Sequence, residues 1–154
     1  MKQELRAMLN TDTVVYDFIV PQQAKPPAYF QTLISVRMTG ACDVRSRTPS
    51  PASGPLAFAH SADGKIIPFI EVQCDRVRGH VRPAFWGPDM DRSEYLYGRA
   101  LARVLAHELY HVLTGRKAHT TLGITRKSLT GSQLISDHVE FESATLHSTS
   151  NGLH

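Results

Sequence analysis

A chain of 154 residues fits a single domain spanning 1–154 and is long enough to bury a real core. With 42% hydrophobic and 20% charged residues it has a globular composition rather than a disordered or repetitive one. The formal net charge of +3 comes with scattered Arg and Lys pairs, which argues against nucleic acid as a partner, and no apolar run approaches the roughly 18 residues of a membrane span.

Residues 2–9 place Leu5, Met8 and Leu9 on one side of a short helix. Asp12 and Asp17 interrupt the one apolar stretch near the start, so no export signal is evident and a cytoplasmic location is the default, with secretion open if the start is incomplete. Residues 14–20 and 29–36 are β-branched and aromatic between proline clusters and read as strands. Residues 43–55, rich in Ser, Pro and Arg, read as a mobile loop. Cys42 and Cys74 do not have the close spacing of a metal knuckle; they are free buried thiols in a reducing compartment, or one disulfide in an exported protein.

Residues 56–60 and 66–77 read as the two arms of a β-hairpin turning at Asp63-Gly64. Pro68 cannot donate a ladder hydrogen bond, so the second arm is expected at a sheet edge, or begins pairing after the proline. An edge strand there offers backbone groups on which an extended peptide can lie; equally it is an ordinary edge protected by proline and charge.

A long helix is expected to about residue 113, capped by Asp91 or Ser93. Leu96, Ala100, Leu101, Val104, Leu105, Glu108 and Val112 follow helical spacing and form its buried face, with Gly98 tolerated among them. Arg99, Arg103, His107 and His111 recur every four residues as a polar stripe facing away from the core. Gly115 stops the helix. A loop over 116–130 leads to a last helix starting near Thr130 or Ser132 and running to about 147, with Leu134, Ile135, Val139 and Leu146 buried and a frayed tail over 148–154.

Near the end of the long helix the chain reads His107-Glu108-Leu109-Tyr110-His111, the pattern H-E-x-x-H. Two histidines four apart on a helix point the same way, so both imidazoles can reach one metal ion, and Glu108 then stands beside it. With 8 His and 6 Glu in the chain, chance alone yields such a match roughly 2% of the time, so its setting must decide. A catalytic zinc needs three protein ligands and an open position. Gly115 lets the chain reverse, which makes His119 the expected third ligand; the competitors are Glu140, Asp137 and Glu142 on the last helix, and His138. Tyr110, Tyr97, His80 and His138 are candidates for stabilising an oxyanion. Arg103, one turn before His107, is either a solvated helix arginine or a partner for a substrate carboxylate.

Over roughly residues 91–124 the chain resembles the zincin superfamily of metalloproteases, carried by His107-Glu108-Leu109-Tyr110-His111 on a helix followed by Gly115 and His119. It looks most like the metzincin branch, in which a glycine turn leads to a third histidine. That branch has its glycine three and its third histidine six residues past the second histidine, whereas here they lie four and eight past it. Met1, Met8, Met38 and Met90 all precede the helix, so the methionine turn of metzincins is missing, and Leu122-Gly123-Ile124 is the candidate to fill its place. The resemblance implies an α+β, zincin-like fold with a small twisted mixed sheet, an active-site helix and a C-terminal helix. It implies a zinc peptidase acting on peptides or proteins, with His107, His111 and His119 holding Zn2+ and Glu108 taking a proton from water at the metal. The alternative is a non-catalytic zinc-binding module that keeps the metal for stability or interaction.

Overall fold

The computed structural model describes residues 1–9, 19, 32–51, 53–119, 123 and 125–137. They form a mixed α+β arrangement: helix α1 (Lys2–Leu9), strands β1 (Ser35–Thr39), β2 (Ala57–Ala62) and β3 (Lys65–Gln73), then helices α2 (Cys74–Val81), α3 (Ser93–Thr114) and α4 (Gly131–Ile135), with two short 3-10 turns between α2 and α3. The strand proposed over 14–20 lies outside the described residues apart from one position. The last helix starts as expected but stops at Ile135 instead of running to about 147, because Ser136 takes a non-helical ψ of 155°; positions beyond 137 lie outside the described residues. Of the strand expected over 29–36, positions 29–31 lie outside the described residues, 32–34 are irregular, and the strand itself runs from Ser35 to Thr39.

The hairpin forms as the Asp-Gly turn dictates: Asp63 and Gly64 take φ of 50° and 77°, the left-handed pair that joins two tightly paired strands. The strand order is β1-β3-β2, with β1 parallel and β2 antiparallel to β3. Thus the arm carrying Pro68 is central, and the edge beside α3 belongs to β2, contrary to the first of the two expectations. The second holds: β1 begins pairing at Phe69, one residue past the proline, and on the other side the register slips between Ala59 and Ser61, leaving Pro68 in an irregularity where no ladder donor is needed.

The second arm also ends earlier than its sequence suggests, because residues from Cys74 turn into α2. Asp75 in the first turn of α2 suits the positive end of the helix, and it pairs with Arg78 at 2.6 Å. Arg78 is 2% exposed and donates to Ala41 O at 3.0 Å and Thr48 O at 2.5 Å. Those bonds, the buried Val44 and a disulfide between Cys42 and Cys74 tie down a loop that composition alone presents as mobile.

One face of the sheet (Ala57, Ile70, Val72) packs on α3, whose Leu96, Ala100, Leu101, Val104 and Leu105 are buried as the periodicity predicts. Leu5 and Leu9 of α1 close the same core. Burying a side chain of this size stabilises by about 1.5–3 kcal/mol, so these contacts hold the site helix in place. Neither Asp91 nor Ser93 caps α3; Arg92 occupies that position without a side-chain bond to the helix. The arginine stripe is a larger departure. Arg99 and Arg103 are 8% and 3% exposed, not solvated, and sit between α1 and α4 near Glu4. Arg99 donates to Ile135 O and Ser136 O, and Arg103 to Gln133 O and Leu134 O. The end of α4 presents the partial negative charge of its last carbonyls, which is what allows two guanidinium groups to be buried there. Among the described residues no helix is long and apolar enough to cross a membrane.

Candidate metal centre

The site is assembled at the C-terminal end of α3. Gly115 caps the helix with φ of 64°, a left-handed conformation that glycine adopts without strain, and its N–H bonds to His111 O at 2.9 Å. The chain then doubles back so that Arg116 O lies 2.6 Å from His111 Nδ1. A carbonyl only accepts, so the proton of the neutral imidazole must sit on Nδ1, and Nε2 keeps its lone pair. That lone pair points at His107 Nε2, 3.1 Å away. The loop continues to His119, whose ring lies 5.1 Å from that of His107 and 4.9 Å from that of His111 between centroids.

The three histidines thus offer ligand nitrogens that all lie within 4.8 Å of one another, and they are placed to hold a metal ion. His111 is buried, His107 half-buried and His119 open to solvent on its outer side. Partial burial pushes the His119 pKa down, and repulsion from His107 and His111 pushes the same way, with Glu108 opposing. A depressed pKa keeps the imidazole neutral, the form that binds metal.

Glu108 faces the opposite wall. One carboxylate oxygen accepts from the Ala59 N–H of β2 at 2.8 Å, which crosses the gap between helix and sheet. Burial raises the Glu108 pKa, while the Ala59 N–H and the charges of His111 and His119 oppose the rise. Between β2 and the histidines lies a cavity of about 250 Å3, walled by Ala57, Phe58 and Ile66 on the sheet side and by His107, Glu108 and His119 on the other. A second cavity, about 270 Å3, lies near α4 and Leu96; its acids are Asp89 and Asp137, and Asp137 is engaged by Arg99 at 2.6 Å.

Asp137 is therefore an arginine partner and does not join the histidines. Glu140, Glu142 and His138, the other rivals for the third position, lie outside the described residues, as do Leu122 and Ile124. None of the described oxyanion candidates lines the cavity: Tyr97 OH is buried and donates to Cys74 O at 2.9 Å, His80 Nε2 lies 2.9 Å from Leu129 O, and Tyr110 packs edge-on against His111. Arg103 is committed to α4 and cannot reach a substrate. The contribution of Ala59 went unforeseen because it comes from a backbone N–H, which leaves no side-chain signal. The place of Lys117 in the cavity wall was also missed, though its position two residues before His119 is a usable hint.

No family model, curated protein or solved structure matches the chain.

Proposed function

We propose that the protein is a zinc-dependent metallopeptidase of zincin type, in which His107, His111 and His119 hold Zn2+ and Glu108 is the general base. The observation that carries this reading is the convergence of a carboxylate and three imidazoles on one cavity. The donors suit zinc. Bonds of about 2.0–2.1 Å in a tetrahedral site set nitrogens about 3.3 Å apart. His107 and His111 come close to that spacing at 3.1 Å, and the Arg116 carbonyl orients His111 as a backbone acceptor behind a metal ligand should.

Bound zinc would supply Lewis acidity, drawing the pKa of water towards about 7 and polarising a carbonyl. The chain supplies the rest. Glu108 has one oxygen anchored by Ala59, which leaves the other to receive a proton from water and pass it to a leaving amine. Its raised pKa makes it a stronger base than an exposed glutamate. Among the described residues β2 pairs with β3 alone, so its outer edge can take an extended peptide as an added strand along the cavity. A closed, purely structural zinc site ordinarily uses four protein ligands, and a set of three among the described residues favours turnover over the binding-module alternative.

The test is metal content and hydrolysis of a peptide library, measured for the wild type and Glu108→Gln. Both should carry about one zinc, while the variant loses cleavage by about 10²–10⁴-fold. Wild-type protein that stays metal-free in zinc-replete buffer, or a Glu108→Gln variant that cleaves normally, would overturn the proposal.

A further inference from the structure

The segment after α3 is held at two points, at Arg116 by the 2.6 Å bond that its carbonyl accepts from His111 Nδ1 and at His119 by its place in the histidine cluster. Lys117 lies between these points and lines the same cavity as His119. Its backbone position is thus held between these two points, and the residue borders the cleft. Apart from the histidines, Lys117 and Glu108 are the two ionisable residues among the described residues of the cavity wall, and they are not alike. Glu108 is held by the Ala59 N–H, whereas Lys117 makes no hydrogen bond or ion pair with any described residue. Lys127 adds a further positive charge close enough to act on His119. The facing wall is mostly apolar (Ala57, Phe58 and Ile66, with Ser61), which strengthens any ion pair formed against it.

From this we infer that Lys117 is a specificity-determining residue, and that the cleft prefers peptides carrying a carboxylate next to the bond to be cut. The inference rests on the peptidase reading and adds a substrate class to it. The carboxylate belongs either to an Asp or Glu side chain or to the peptide C-terminus. Both present the same acceptor to an ammonium group, so experiment must separate them.

The measurement is equilibrium binding of fluorescent peptides to the zinc-loaded Glu108→Gln protein, followed by fluorescence anisotropy so that no turnover is needed. Three peptides of one sequence suffice: one with an internal Glu and an amidated end, one with Gln and a free C-terminal carboxylate, and one with Gln and an amidated end. At least one carboxylate peptide should bind about 3–10-fold more tightly than the neutral one, the range for a partly exposed pair in a cleft. The peptide that gains identifies the source. The preference should vanish in Lys117→Gln, persist in Lys117→Arg and shrink in high salt. Equal binding of all three peptides, or a preference that survives Lys117→Gln, overturns the role of Lys117 while leaving the peptidase reading intact. A protein that holds no zinc and binds none of the peptides overturns both.

Discussion

His111 shows how one backbone contact sets the chemistry of a side chain. Its Nδ1 proton is committed to Arg116 O, so its Nε2 can only accept or ligate. His119 has no such fixed partner and depends on the cluster, which makes it the more informative ligand to remove. His119→Ala should weaken zinc binding by more than the roughly hundredfold upper range for loss of a residue behind a ligand, in competition with a chromophoric chelator, while Asp137→Ala and Glu140→Ala leave it within a factor of about two. A larger loss from either carboxylate would move the third ligand away from His119. Acidity should act on the same residue. The folded protein holds the His119 pKa below the ordinary value of about 6.5, so below that pH the unfolded chain binds a proton that the folded one does not. That term favours folding at neutral pH and is lost as pH falls from about 6.5 towards the folded value. Metal-free protein should therefore lose more thermal stability between pH 8 and pH 6 than His119→Gln does, and an equal loss in both would refute the assignment.

At the scale of elements, the signals that proved legible were local ones. The apolar spacing along α3, the stop at Gly115 and the Asp63-Gly64 turn each depend on a few neighbouring residues, and each forms where expected. What could not be read depended on distant partners. Arg99 and Arg103 look solvated until α4, some 30 residues on, brings its terminal carbonyls to them. Pro68 looks like an edge marker because its missing donor is visible, whereas the register slip that accommodates it in a central strand is not. The helix beginning at Cys74 is hidden because residues 74–77 continue a strand-like run. α4 is short and held mainly by its surroundings. Thr130 caps it reciprocally with Gln133, and Gly131 packs so closely on α2 that a Cβ there would collide with His80 O and approach Val81 Cα. Thr130→Ala should cost about 1 kcal/mol, the usual worth of an N-cap. Gly131→Ala should cost more, about 2 kcal/mol or above, even though alanine is the better helix former, because the obstructing atoms are backbone and cannot swing aside. Urea titration of the two variants ranks them, and a Gly131→Ala protein as stable as the wild type would show that α2 and α4 are not in this contact.

Across the whole molecule, the candidate site joins two halves of the chain: β2 supplies Ala59 and the cavity wall, and α3 with its following loop supplies the imidazoles and Glu108. Residue types and spacing exposed the second half. The first half needed the sheet order, which no local pattern encodes. The same division applies to the cysteines, whose sequence reads as free thiols or a disulfide; folding brings Cys42, just after β1, to Cys74, the first residue of α2, and they bond. The bond closes a loop with a sequence separation of 32, and β2 and β3 lie inside that loop. Constraining an unfolded loop of that length is worth about 3–4 kcal/mol by the chain-entropy estimate. For a chain of this size that corresponds to roughly 10 °C in melting temperature. The paired variant Cys42→Ala/Cys74→Ala, or wild type held in reductant, should melt lower by about that amount. Because neither cysteine lines the histidine cavity or contributes a ligand, the folded variant should still bind zinc with wild-type affinity below its transition. Melting at an unchanged temperature in reductant would mean that the two sulfurs are not bonded in solution, and loss of zinc below the transition would mean that the disulfide supports the metal centre directly.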